Sequence, residues 1–252
     1  MSDRLARGWD EAADGYEAYW VPRFAPWVDT AVLAVAGATL PDGPVLVPCC
    51  GSFPELEPLT AALPGREIVG IDLSAGMVRL ARERAARHPR ARAVQGDAST
   101  VDAGSCAALV SVFGLQQLPE PDVAIGSWVA ALRPGGLLSV VFWTGDTETD
   151  GPFALLFDVL RAHVPPPDRA WERRIAAAVT AHGGVVHRDG SVAHPMAHRD
   201  PATFLDAYTR SGPHRPLADA PFFDAVRAEF LRRAPAGPWQ HRPQARHLVV
   251  SV

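Results

Sequence analysis

Lysine is absent from this 252-residue chain, and all 24 of its basic residues are arginine. No side chain can form a Schiff base with a carbonyl substrate or a pyridoxal cofactor, and the lysine of a phosphate-binding P-loop is missing as well. Asparagine is also absent, and with it every acceptor for N-linked glycosylation. Cysteine is scarce. Cys49, Cys50 and Cys106 are odd in number and lack metal spacing, which fits a reducing, cytoplasmic compartment. No apolar run approaches the ~20 residues of a membrane span. The N-terminal stretch MSDRLARGWDEAADGY carries acids where a secretory leader has an apolar core. Positive charge is not in excess: the net charge is −4, and nothing points to a nucleic-acid partner. His182, His187, His194 and His198 are scattered at loop and strand spacings and predict no metal site. Two fingerprints are missing too, the G-x-G-x-x-G of nicotinamide dinucleotide binding and the G-x-S-x-G elbow of hydrolases.

What is present is a chain with 48% hydrophobic residues, enough for one sizeable core, so 1–252 reads as a single domain. Residues 8–20 and 21–36 predict two N-terminal helices, the first carrying Trp9, Tyr16 and Tyr19. Pro41-Asp42-Gly43-Pro44 then breaks the chain. Val45-Leu46-Val47 is a short apolar run suited to a buried parallel strand, followed by a turn at Cys49-Cys50-Gly51 and a helix opening at Pro54-Glu55-Leu56. Further strands are predicted at 67–71, 91–95, 107–113 and 137–143, with helices at 75–88 and 119–132. Alternating strands and helices with short turns predict an α/β, Rossmann-like parallel sheet with helices on both faces. Beyond 150 the rhythm changes. Helices are expected at 152–163, 171–182, 201–210 and 220–233, a strand within 185–196 and another at 247–252. The segment 150–235 reads as a small helical cap and 1–40 as helices over a ligand.

Ligands in such sheets sit beyond the carboxyl ends of the strands. The chemistry-bearing residues lie there: Cys49 to Phe53, Asp72, Asp97, Phe113 to Gln117, and Trp143. Asp72 follows Gly51 by about 20 residues, the spacing at which a carboxylate holds a ribose diol. Asp97 ends the third strand, where its carboxylate can accept from an adenine amino group while the N–H of Ala98 faces the ring. Cys49 and Cys50 read as small buried residues and not as nucleophiles. Asp146, Glu148 and Asp150 follow the fifth strand, where they could meet a substrate, but they read first as a solvated loop.

In combination, VLVPCCGSFPEL, VGIDLSAGMVRLARERA, VQGDAST and LRPGGLLSVVFW resemble successive motifs of class I S-adenosylmethionine-dependent methyltransferases. The likeness runs over 9–143 and is nearest to quinone-biosynthesis and bacterial small-molecule enzymes. It implies a seven-stranded sheet with a reversed final strand and S-adenosylmethionine as cofactor. It implies cofactor contacts at Tyr16, Tyr19, Cys49, Cys50, Gly51, Asp72, Leu73, Met77, Asp97, Ala98 and Phe113. Gln116 and Gln117 match positions that face the transferred methyl and the acceptor. HPMAHRDPATFLDAYTRSGP is similar to the lid of some relatives, which makes His194 or His198 the candidate for proton removal. The turn departs from the family pattern, acid-x-Gly-x-Gly-x-Gly, because Val47, Cys49 and Phe53 replace the acid and two glycines, and Pro48 lacks an N–H.

The expected activity is methyl transfer from S-adenosylmethionine to a small acceptor, apolar or aromatic to suit the aromatic cap, with no metal, nucleic acid or membrane involved. The composition, rich in Ala, Arg, Pro and Gly, suggests a bacterial source, and that source together with the aromatic cap suggests secondary metabolism. The altered turn keeps a second reading open, in which a protein of this fold no longer methylates and instead catalyses a cyclisation or rearrangement, or only binds its ligand. Oligomeric state is not legible.

Overall fold

The computed structural model describes residues 2–145 and 147–252. Two N-terminal helices, α1 (Ser2–Tyr19) and α2 (Val21–Ala36), precede an alternating series: β1 (Val45–Pro48), α3 (Leu56–Ala62), β2 (Ile68–Asp72), α4 (Ala75–Ala85), β3 (Ala91–Gln95), β4 (Cys106–Val112), α5 (Pro121–Ala130) and β5 (Leu132–Phe142). The second half contains α6 (Pro152–Leu160), α7 (Trp171–Ala181), β6 (Val185–Ala193), β7 (Met196–His198), α8 (Pro201–Thr209), α9 (Arg215–Ala218), α10 (Phe223–Arg233), β8 (Trp239–His241) and β9 (Gln244–Ser251).

Seven strands form one sheet in the order β3-β2-β1-β4-β5-β9-β6. Strands β1 to β5 pair in parallel, and β9 runs antiparallel to both β5 and β6, so the final strand is the reversed one. The order turns back at β1, between β2 and β4. The crevice beyond the carboxyl ends of β1 and β4 is therefore the switch point where such sheets take ligands. β1 is buried along its whole length, as its apolar run requires, and ends at Pro48, which has no N–H for the ladder.

The sheet separates two apolar layers. On one face α2, α3 and the cap helices α6, α8 and α10 pack around Trp27, Phe53, Leu56, Phe204 and Phe230. On the other, α5 and α7 bury Trp128, Ile125, Ile175 and Val179. Two expectations need correction. The Arg133-Pro134-Gly135-Gly136 stretch is not a loop ahead of a strand at 137. β5 already starts at Leu132, which pairs with Cys106, and a register shift between Cys106 and Ala108 absorbs the irregular residues. The segment 150–235 carries the helices α6 to α10 and also β6, which completes the sheet edge in the region where a strand is expected within 185–196. Finally, the short β7–β8 pair was missed because three-residue strands leave too little periodicity to read.

Candidate active site

The backbone after β1 turns sharply, with Cys49, Gly51 and Phe53 at φ of 55°, 53° and 70°. These are left-handed values, which glycine adopts freely and which strain a bulky residue. The turn thus keeps the shape of a three-glycine loop with one glycine left. Its neighbours supply the missing space. A Cβ placed on Gly114, just past β4, would lie 2.4 Å from the Cβ of Cys49. A Cβ placed on Gly70 in β2 would lie 2.8 Å from Cys50 Sγ and 3.0 Å from the Phe53 ring. Phe53 is fully buried as a result. Phe113, with φ of 58°, is a third strained side-chain-bearing residue at the same crevice. Such strain persists only where the surroundings impose it, and it gathers at functional sites.

Asp72, at the end of β2, accepts the N–H of Gly51 at 2.8 Å and that of Ser74 at 2.9 Å. It joins the turn to the start of α4, and each oxygen keeps a lone pair for a ligand hydroxyl. Burial raises its acid pKa, while the N–H bonds from Ser74 and Gly51 pull the other way. Met77 Sδ would stand 3.9 Å from a Cβ on Gly51, under the turn. Leu73 accepts from the Gln95 amide at 3.2 Å through its carbonyl. Asp97 is exposed and uses one oxygen on the Ser99 N–H at 2.8 Å, while buried Ala98 accepts from the Trp128 indole at 2.8 Å. Burial, and then Asp72 among the nearby carboxylates, push both the Cys49 and Cys50 thiols well above their usual range, so neither is a thiolate nucleophile.

Helix α1 lies over this turn. Glu17 accepts from the Ser52 hydroxyl and pairs with Arg84 at 2.6 Å, and Arg84 also donates to the Ser52 carbonyl at 2.8 Å. Asp10 accepts from the Ser74 hydroxyl at 2.6 Å and from the Gly76 N–H at 2.9 Å. Beneath them Glu55 is 1% exposed, and its Oε2 has no partner among the described residues. Burial pushes its pKa up to about 8. Burial also holds the Tyr16 hydroxyl well above its ordinary pKa, and Glu55 is the charged group that acts on it most strongly.

Beside the turn, a cavity of about 670 Å³ opens between the ends of β4 and β5 and the cap. Its walls are mostly apolar and rich in aromatic rings, with Trp9, Tyr16, Phe113, Trp143, Phe153 and Tyr208 among them. Phe113 and Trp143 stack at 4.1 Å, nearly parallel. Gln116 and Gln117 reach the same cavity from the turn of 3-10 helix at Leu115–Gln117. The Gln116 amide nitrogen donates to the Phe113 carbonyl at 2.6 Å, which fixes the orientation of the amide. Its Oε1, buried and without a partner among the described residues, is left as an acceptor.

Other expected site residues lie elsewhere. Tyr19 does not share the cavity with Tyr16. Its hydroxyl bonds His198 Nδ1 at 2.7 Å, and the two rings stack. His194 is not in the cavity either, because the β6–β7 connection passes against α2, where His194 Nε2 meets the Thr30 hydroxyl at 2.9 Å. His198 is buried in a chain that sequence spacing could not reveal. Its Nε2 contacts His241 Nε2 at 2.9 Å, and His241 Nδ1 reaches the Glu148 carboxylate at 2.6 Å. Glu148 also caps α6 by accepting from the N–H of Phe153 at 2.7 Å, so it is a buried pivot and not part of a solvated loop. Asp146 lies outside the described residues. Glu55 is not among the expected site residues, and it lies buried just past the turn. Its sequence signal was the missing acid at Val47, which leaves the turn without a carboxylate of its own unless Glu55 supplies one.

Residues 45–136 match the family model of a methyltransferase domain. The chain is 30% identical over 137 residues to the ubiquinone/menaquinone biosynthesis C-methyltransferase UbiE of Syntrophotalea carbinolica, a match covering 53% of this chain and 55% of that protein. The chain thus matches only about half the length of this curated relative. Among solved structures it superimposes on geranyl diphosphate C-methyltransferase from Streptomyces coelicolor, in complex with Mg2+, geranyl diphosphate and S-adenosyl-L-homocysteine, with a TM-score of 0.55, 14% identity and 97% of each chain covered. It also superimposes on the [4+2]-cyclase SpnF, with a TM-score of 0.51, 20% identity and coverage of 88% of this chain and 80% of that one. The fold is that of class I S-adenosylmethionine-dependent methyltransferases, and S-adenosylmethionine is the cofactor of that class.

Proposed function

We propose that this chain transfers a methyl group from S-adenosylmethionine to a small, largely apolar acceptor in bacterial secondary metabolism. The observation that carries the reading is the juxtaposition of the Asp72-anchored turn with an aromatic cavity whose polar groups include Gln116 and Gln117. The site fits the cofactor: the turn keeps its left-handed backbone, Asp72 keeps lone pairs for a diol, and two buried polar atoms, Glu55 Oε2 and Gln116 Oε1, lack partners among the described residues. Asp72 would hold the ribose, Asp97, Leu73 and Ala98 the adenine, and the Cys49-Cys50-Gly51 turn with Met77, Tyr16 and Phe113 the rest. When bound, the cofactor supplies an electrophilic sulfonium methyl. The chain's own work is orientation and exclusion of water. Helix α1 covers the turn, the aromatic walls seat the acceptor, and Gln116 Oε1 accepts a hydrogen bond that aligns an acceptor hydroxyl or N–H.

Titration calorimetry with S-adenosylmethionine and with S-adenosylhomocysteine tests the reading, with micromolar binding of both expected. Asp72→Ala and Asp97→Ala should each weaken that binding by about tenfold or more, as loss of charge-assisted hydrogen bonds does. Unchanged affinity in both variants contradicts the assignment. A second reading, cyclisation or rearrangement without methyl transfer, is favoured by the side chains at Cys49 and Phe53. Product mass separates the two, since only methyl transfer adds a methyl to the acceptor.

A further inference from the structure

We infer that Glu55 is the residue that receives the ammonium of the cofactor's amino-acid end, taking the place of the acid that the turn lacks at Val47; the inference rests on the proposed cofactor. The geometry begins with a carboxyl that has been removed from water with one of its oxygens unpartnered. Glu55 is 1% exposed, and its Oε2 makes no hydrogen bond among the described residues. Burying such a group is costly in either protonation state. An ionised oxygen there needs a donor and a protonated one needs an acceptor, and the surrounding side chains offer neither to Oε2.

The groups around it show which ligand chemistry is missing. Tyr16 walls the acceptor cavity, and Glu55 is the charge that acts on its hydroxyl most strongly, ahead of Asp72 and Glu17. Glu55 also acts on both thiols of the turn. The nearby cation is Arg84, and it is engaged by Glu17 and the Ser52 carbonyl. Glu55 thus stands at the N-cap of α3, just past the Cys49-Cys50-Gly51 turn, with Oε2 unpartnered among the described residues. S-adenosylmethionine and S-adenosylhomocysteine both carry a primary ammonium four bonds from their sulfur, with three N–H donors. An ammonium beside Glu55 Oε2 would satisfy the orphaned oxygen and favour the ionised carboxylate, so ligand binding near neutral pH should release a proton from this residue. Tyr16 lines the cavity, and Asp72 anchors the neighbouring turn of Cys49, Cys50 and Gly51. The two thiols and the tyrosine are shifted upward and stay protonated, and Asp72, also raised by burial, is common to the wild type and Glu55→Gln, so the difference in proton release between them reports Glu55.

The test compares three probes on the wild-type chain and on Glu55→Gln by calorimetry. The probes are S-adenosylhomocysteine, its deaminated analogue that keeps the carboxylate, and 5′-methylthioadenosine, which has no amino-acid end. The expected result is that the wild type binds S-adenosylhomocysteine about ten- to a hundredfold more tightly than the deaminated analogue, and that Glu55→Gln loses this discrimination while binding 5′-methylthioadenosine as the wild type does. Titrations in buffers of different ionisation heat should show greater proton release in the wild type than in the variant. Retained discrimination in Glu55→Gln overturns the inference and leaves the cofactor assignment standing. Equal weakening for all three probes also overturns it, by showing a structural role for Glu55. If the wild type binds none of the three, the cofactor reading itself fails, and this inference with it.

Discussion

At the scale of single residues, the turn shows how a glycine pattern can be lost while its backbone is kept. Cys49 and Phe53 hold left-handed conformations because Gly114 and Gly70 stand where a Cβ would collide with them. Gly114→Ala should therefore be strongly destabilising, by about 1–3 kcal/mol for overpacking. The double variant Cys49→Gly/Gly114→Ala should recover much of that loss. Urea unfolding of the four species measures the coupling, and additive effects would show that the two positions do not compensate. This pairing was not legible in the sequence. Gly70 and Gly114 lie far along the chain from the residues they accommodate, and only the sheet brings them together. Asp72 and Asp97 were legible, because their positions at strand ends follow from the alternating pattern. The destinations of Tyr19 and His194 were not, since helical spacing places two tyrosines on one face without saying where that face divides.

At the scale of elements, the strand-turn-helix units were readable because buried parallel strands are continuous apolar runs and the helices carry their own signals. Ser74 is one such signal: its hydroxyl accepts the N–H of Met77 at 3.1 Å and caps α4. The same hydroxyl donates to Asp10, so the cap also fastens α1. Ser74→Ala should cost about 1–2 kcal/mol, at the upper end for a cap because two bonds are lost. It should also speed amide hydrogen exchange in α1, and an effect confined to α4 would show that Asp10 is not held through Ser74. The cap was less legible than the sheet. Its strands are short, and the Glu148–His241–His198–Tyr19 chain that binds it to the N-terminal helices joins residues far apart in sequence.

At the scale of the whole molecule, buried titratable groups predict how stability varies with pH. Burial, then His241 and Arg23, lower His198 to about 3; burial, then Arg188, lowers His247 to about 4. Both values lie below the ordinary 6.5, so the folded chain binds fewer protons than the unfolded chain across that window. Stability is full above pH 6.5 and is lost as pH falls toward 4, by roughly 3 kcal/mol per histidine. Glu55 acts in the opposite sense. Its folded value of about 8 exceeds the ordinary 4.5, so its contribution is full below 4.5 and is lost as pH rises toward 8. Unfolding midpoints of the ligand-free chain should therefore peak near neutral pH. In Glu55→Gln the alkaline limb should flatten while the acid limb persists. A profile identical to that of the wild type would place the alkaline loss elsewhere.

Helix α1 has one further consequence. Asp10 and Glu17 fasten it to the turn and to α4, and Trp9 packs so tightly on the cap that a Cβ on Gly212 would lie 2.3 Å from its ring. A single rod therefore touches both halves of the crevice. If occupancy of one half changes the freedom of the rod, the affinity of the other half changes through it. Such heterotropic coupling is symmetric by thermodynamic necessity: whatever factor the acceptor gains from a bound cofactor, the cofactor gains from a bound acceptor.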